Sequence, residues 1–296
     1  MSDKKVEVFK VVIKTIDKSQ LNFEEILLNT TLQNIDKKTG SKHIQLAYVE
    51  DKGEYVVGMI QTTKMMATPP KRNVVTNVTS ALGLVIQEGL LYGNVFLYVK
   101  AKQTLLYEVT KDSLYAGQLD DFIYALVKDS GIIAFDIRFN LMMNVDAMKK
   151  LLKMGSRKSV HIQFANPDDL LKKVKDSQRS IKEIAKPGKD IGAELIDVTY
   201  KISGNKDKYL QNNAVDRMLE FITEKYNLLR DNVKMFSIKG YEDNEEKITE
   251  IDIVKDKMVE TIKYQEHHNM KDLKPFQRKQ EIIAAYLRLE NDINSY

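Results

Sequence analysis

The sequence predicts an α+β fold arranged as two domains. Three observations predict it. Runs of β-branched and aromatic residues broken by turn signals, such as LAYVEDKGEYVVGMI, read as antiparallel hairpins. Apolar residues at helical spacing recur between and after these runs. The length of 296 residues suits about two domains of roughly 150 each. The clearest shift of composition lies near residues 140–157. It puts residues 1–143 in an N-terminal α+β domain and residues 144–296 in a C-terminal one, each an antiparallel or mixed sheet with packed helices.

Residues 5–16 alternate and are rich in β-branched side chains, a strand. Residues 20–33 place Leu21, Ile26, Leu27 and Leu28 on one helical face. Residues 42–50 and 54–64 are strands about the tight turn Asp51-Lys52-Gly53. The prolines of Thr68-Pro69-Pro70-Lys71-Arg72-Asn73 then stop the strand and stiffen a loop carrying two cations. Such a loop either presents a contact for an anion or is an ordinary polar connection. Residues 94–101 and 103–110 form a second hairpin. Asp112 or Ser113 caps the next helix, whose Leu114, Tyr115, Leu119, Phe122, Ile123 and Leu126 share a face. Residues 131–141 return to strand, with Ile133, Phe135, Ile137 and Phe139 alternating against Asp136 and Arg138.

In the second half, residues 144–154 form a short helix capped by Asn144, bearing Lys149, Lys150 and Lys153, with Arg157 and Lys158 close behind. Residues 158–165 are a strand. The next stretch, DDLLKKVKDSQRSIKEIAKPGK at residues 168–189, reads as a single helix. Asn166 sits at its cap, Pro167 at its first position, acids fill its first turn, and Pro187-Gly188 ends it. Residues 193–202 are a strand and residues 209–230 a long helix. Residues 232–241 and 246–254 are paired strands around an acidic turn. Residues 258–265 are a strand or a short helix. Pro275 opens the last helix, with Ile282, Ile283, Tyr286, Leu289 and Ile293 on one side.

Residues 168–189 carry the functional expectation. On one cylinder, Leu171, Val174, Gln178, Ile181 and Ala185 make a buried seam. Lys172, Lys175, Arg179, Lys182 and Lys186 repeat the spacing one residue later, roughly 100° round. That is a basic rail about 21 Å long at the helical rise of about 1.5 Å per residue, suited to a phosphate backbone. The ordinary alternative is a solvated face held by the i, i+4 pairs Lys172–Asp176 and Arg179–Glu183. Residues 149–189 are the most basic part of the chain. Whole-chain charge says less, because 46 basic residues stand against 42 acidic ones. No zinc-finger spacing, RRM motif or helix-turn-helix turn accompanies the cations, so a DNA contact here would read backbone and not sequence.

Composition removes several chemistries. With no Cys there is no disulfide, thiolate catalysis or zinc–thiolate site. Neither G-x-S-x-G nor a Walker loop occurs, and no cofactor motif is found. His267-His268 beside Glu266 suggests a metal, but adjacent side chains diverge and rarely chelate one ion, so no metal is expected. His161 reads as a strand residue at the core edge or in solvent. Asp120, Asp121 and Asp136, or Glu245-Glu246-Lys247, match two-metal nuclease chemistry only loosely. No signal segment and no apolar run of about 18 residues are visible, so a cytoplasmic protein without a membrane span is expected.

The second half also has a characteristic order. A basic helix is followed by a strand ending in Tyr200-Lys201, a long helix, the hairpin VKMFSIKGYEDNEEKITEIDIV, and a final helix containing AAYLRLENDI. This resembles the C-terminal half of the Rex exclusion protein A family of lambdoid phages. The strand VEVFKVVIK and its Leu-rich helix also sit where that family has them. The resemblance lies in element order and pattern, with no motif that carries over residue by residue. It implies a homodimeric, sequence-tolerant DNA-binding protein of phage exclusion, with a globular domain and a second, movable one.

The expectation is therefore a non-enzymatic protein that binds double-stranded DNA by phosphate contacts in phage exclusion or phage–host conflict. Its contacts would be Lys172, Lys175, Arg179, Lys182 and Lys186, with Lys71, Arg72, Arg157 and Lys158 in support. A homodimer is expected, and a phage or host protein partner stays open. Two alternatives stand beside it: a protein-interaction or inhibitor module without nucleic-acid binding, and a metal-dependent nuclease.

Overall fold

The computed structural model describes residues 2–15, 21–65, 70–85, 87–110, 112–128, 136–174, 179–202, 208–242, 248–265 and 272–296. Helices and strands are both abundant, and every ladder with a described register is antiparallel, so the fold is α+β. The chain divides into two compact units, each built from three stretches. Unit 1 takes Met1–Val6, Ile13–Ile137 and Thr261–Leu287; unit 2 takes Glu7–Val12, Arg138–Glu260 and Arg288–Tyr296. Strands β1 (Ser2–Lys14), β9 (Asp136–Leu141) and β14 (Val259–Tyr264) and helix α7 (Pro275–Asn294) lend residues to both. The stretch that periodicity left undecided, residues 258–265, holds the strand Val259–Tyr264.

In unit 1, β2 (Lys37–Thr39), β3 (Lys42–Asp51), β4 (Tyr55–Lys64), β7 (Leu90–Val99) and β8 (Thr104–Val109) lie side by side in the order β8-β7-β4-β3-β2. The two expected hairpins are both present. β4 and β7 are the inner strands, buried on both faces, which is why they read as nearly continuous apolar runs. Gly58 makes room for this packing: a Cβ there would lie 2.5 Å from the Phe96 ring. Helix α2 (Ala116–Lys128) buries Leu119, Phe122, Ile123 and Leu126, as its spacing predicts. Ser113 does not cap it. Its hydroxyl is buried against Asn94 and Thr62 instead. Helix α1 is shorter than expected, Phe23–Leu28, because the Asn29 side chain accepts from the Thr31 N–H at 3.0 Å and hydroxyl at 2.7 Å and turns the chain away.

A polar knot lies inside unit 1. Glu108 is fully buried and accepts from Tyr264 Oη at 2.8 Å and the Val95 N–H at 3.0 Å; Arg278 Nη1 stands 3.5 Å away. The guanidinium also donates to Gly93 O at 2.8 Å and lies 4.3 Å from the Tyr264 ring centroid. Burial pushes the Glu108 carboxyl up from its ordinary range, and Arg278 opposes that push.

Unit 2 holds a four-stranded sheet in the order β11-β10-β12-β13, formed by β10 (Ser156–Ala165), β11 (Leu195–Lys201), β12 (Val233–Tyr241) and β13 (Ile248–Asp252). Val160, Ile162 and Phe164 of β10 turn one face into a core shared with α4 (Pro167–Lys173), α5 (Arg179–Asp190) and α6 (Asn212–Leu229). Helix α3 (Val145–Lys153) starts as expected, with Asn144 accepting from the Asp146 N–H at 2.9 Å.

Candidate nucleic-acid and partner surfaces

The basic rail is not one rod. The expected helix over residues 168–189 is interrupted: α4 stops at Lys173, Val174 is extended at φ −90° and ψ 122°, and helix resumes at Arg179. Lys175 lies outside the described residues, as does the Arg179 side chain. Of the expected seam Val174, Ile181 and Ala185 are buried and Leu171 is half-buried, while Gln178 lies outside the described residues. Of the rail's cations Lys172 is opposed, its Nζ 2.5 Å from Asp168; Lys189, off the rail, also reaches Asp168 at 2.8 Å, and Lys173, likewise off it, is 2.7 Å from Asp169. These contacts hold the Asp168 carboxyl down at about 2. α4 thus carries two acids against two cations and presents no net charge. Pro187-Gly188 does not end the second helix either; it runs on to Asp190, and Gly192 at φ +69° stops it. Lys182 and Lys186 lie on this second helix, Lys186 exposed.

Two further predicted contacts face inward or are engaged. Arg157 is 7% exposed, because a bulge in β10 turns it to the helices, where Nη1 pairs with Asp216 of α6 and donates to Asn212 O at 3.3 Å. Lys158 is half-buried, with Nζ on Lys208 O and 5.7 Å from the Tyr241 ring centroid. Lys149, Lys150 and Lys153, by contrast, are exposed along α3.

Beside α5 lies a surface with no charge signal. A trough of about 790 Å³ runs between α5 and α6, floored by Val160, Ile196 and Val198 and walled by Ile184, Ile191 and Met218. Ile191 is 82% exposed. The strand under it, β11, is the edge of its sheet. The Ile202 N–H donates to Lys158 O and the Asn166 N–H to Glu194 O, both at 2.9 Å. That parity turns the backbone groups of Ile196, Val198 and Tyr200 toward β10. Those of Leu195, Asp197, Thr199 and Lys201 face the open edge.

In unit 1 the loop with Lys71 and Arg72 is more than a connection. Between β4 and β7 the described residues 70–85 form an arm, and the two flanking strands meet at the Lys64–Leu90 rung. Gly89 permits the close approach there: a Cβ would meet Lys64 O at 2.5 Å. β5 (Lys71–Arg72) pairs with β6 (Thr79–Ser80), a hairpin the sequence reading missed. Every described residue from 70 to 85 is exposed. The tip is firmly built. The Asn73 N–H donates to Val78 O at 2.8 Å, the Asn77 N–H to Asn73 O at 2.9 Å, and the Asn73 side-chain oxygen accepts from the N–H groups of Val75 and Thr76 at 2.9 and 3.1 Å. Arg72 donates to Asn77 Oδ1, and among the described residues neither Lys71 nor Arg72 faces an acid at ion-pair distance.

Among the described residues, His43 pairs with Asp36 at 2.5 Å and His161 with Asp197 at 2.6 Å. His267, His268, Glu245 and Glu246 lie outside the described residues. Among the described residues no three His, Asp or Glu are grouped to hold a metal. No described helix is long and apolar enough to cross a membrane. No protein-family model and no curated protein matches the sequence.

Proposed function

We propose that this chain binds double-stranded DNA through phosphate contacts without reading sequence, and does so as a cytoplasmic homodimer in phage exclusion or phage–host conflict. The observation that carries the binding is the arm of unit 1: Lys71 and Arg72 lie on a fully exposed two-stranded ribbon and, among the described residues, face no acid at ion-pair distance. The leading contact therefore moves from the interrupted rail to the arm, with Lys172, Lys182 and Lys186 as auxiliary cations. The biological setting and the dimer rest on the resemblance to the phage exclusion family. The open edge of β11 offers the dimer a route, by strand pairing about Val198. The test is binding to 30-base-pair duplexes of unrelated sequence, followed by anisotropy across a salt series. Similar affinities that fall steeply with salt support the reading; no binding at low salt overturns it.

A second reading has its own observation. The trough between α5 and α6, with Ile191 exposed at its wall, suits an apolar segment of a phage or host protein, as a protein-interaction module requires. Bulky polar changes at Ile191 and Met218 that leave DNA binding intact but abolish partner capture would favour it.

A further inference from the structure

We propose that Val74 and Val75 at the arm tip form a wedge that enters the minor groove of duplex DNA, unstacks one base step and bends the duplex. The inference rests on the DNA reading above and deepens it. Val74 and Val75 are each 89% exposed and Val78 is 60% exposed. Adjacent apolar side chains this bare at a hairpin tip are unusual, because a protein surface normally tucks such pairs away. They are also held ready. The Asn73 side chain fixes the N–H groups of Val75 and Thr76, and Asn77, at φ +60°, closes the turn with its own N–H on Asn73 O. Valine is stiff at χ1, so little side-chain freedom is lost when the pair is buried.

The surroundings of the tip select the occupant. Arg72 and Lys71 lie one and two rungs behind it, where the phosphates flanking an unstacked step would be. Asn, Thr and Ser supply the rest of the ribbon: Asn73, Thr76, Asn77, Thr79 and Ser80. Cations and amides around a small apolar wedge are what minor-groove proteins use to kink DNA. A bilayer suits the tip less well. Neither Trp, Phe nor Tyr, the residues that anchor a protein at a bilayer interface, lies at it.

The test uses the full chain and a 30-base-pair duplex with a donor and acceptor at its ends and 2-aminopurine at a central TA step. Binding of the unaltered protein should shorten the end-to-end distance and raise the 2-aminopurine emission. Val74→Ser with Val75→Ser should abolish both signals while affinity falls no more than about tenfold. Both side chains are exposed, so the variant should keep its circular dichroism and melting temperature. Binding without bending, or bending unchanged in the variant, overturns the wedge and leaves the DNA reading standing. Absence of binding to any duplex overturns both. Vesicles of phosphatidylserine and phosphatidylcholine form the last arm: binding to them that the valine changes abolish, with duplex binding untouched, also overturns the wedge.

Discussion

Lys189 reaches Asp168, its Nζ 2.8 Å from Oδ1. On one straight helix these residues would stand about 31 Å apart at 1.5 Å per residue. The contact therefore requires α5 to return alongside α4, and it sets Lys189, which is not part of the predicted rail, beside the rail's Lys172 on one carboxylate.

That carboxylate gives a pH prediction. Hydrogen bonds from Lys172 and then Lys189 hold Asp168 at about 2, below its ordinary 3.8. A group depressed in the folded state stabilises it above the ordinary value, and the contribution disappears as pH falls through the folded value. Amide exchange in α4 and α5 should accelerate as pH falls from about 4 to about 2, beyond the intrinsic trend. In Asp168→Asn that excess should be absent. An identical profile in both proteins would show that Asp168 does not tie the helices.

The buried knot of unit 1 gives a stability prediction. Arg278→Met leaves Glu108 without its cation in a site where the carboxylate is fully buried. Removing one partner of such a pair costs about 3–5 kcal/mol, whereas replacing both is far milder. Arg278→Met should therefore lower the melting temperature sharply, and Glu108→Gln added to it should recover much of the loss. A double variant no better than the single one would deny the coupling.

Replacing Lys71 and Arg72 by Glu should weaken duplex binding by more than tenfold and flatten the salt dependence by about two, at roughly 0.9 per phosphate contact. The same exchange at Lys172 and Lys186 should have a smaller effect, because Lys172 already sits 2.5 Å from Asp168. Equal losses from both pairs would return the leading role to α4 and α5.

Most elements were legible because their periodicity matches their burial, as in α2 and in the hairpin of β3 and β4. The α4–α5 break was not, since an apolar stripe at helical spacing survives when two short helices bury the same face. The local hint in the sequence is Asp176-Ser177, since Asp and Ser are residue types that disfavour a helix interior. The arm was hidden for the opposite reason. VVTNV has the composition of a core strand, and its exposure depends on what the rest of the fold leaves uncovered. The Lys71–Arg72 dipeptide was visible; the rigid apolar tip it supports was not.

The edge of β11 decides the remaining prediction. The Thr199 N–H faces away from β10, so proline there removes no bond within the sheet and is tolerated where an interior strand would fail. Pairing of two copies about Val198 would set Asp197 opposite the second copy's Thr199 and Ile196 opposite its Tyr200, joining apolar to apolar on the trough side. It needs the Thr199 N–H as a donor. Thr199→Pro should thus convert a dimer to a monomer in sedimentation while leaving the melting temperature within a few degrees. Val198→Pro, which strikes an N–H bonded to β10, should instead destabilise unit 2 itself. A dimer that survives Thr199→Pro would place the subunit contact elsewhere. A monomer in the unaltered protein would remove the need for any.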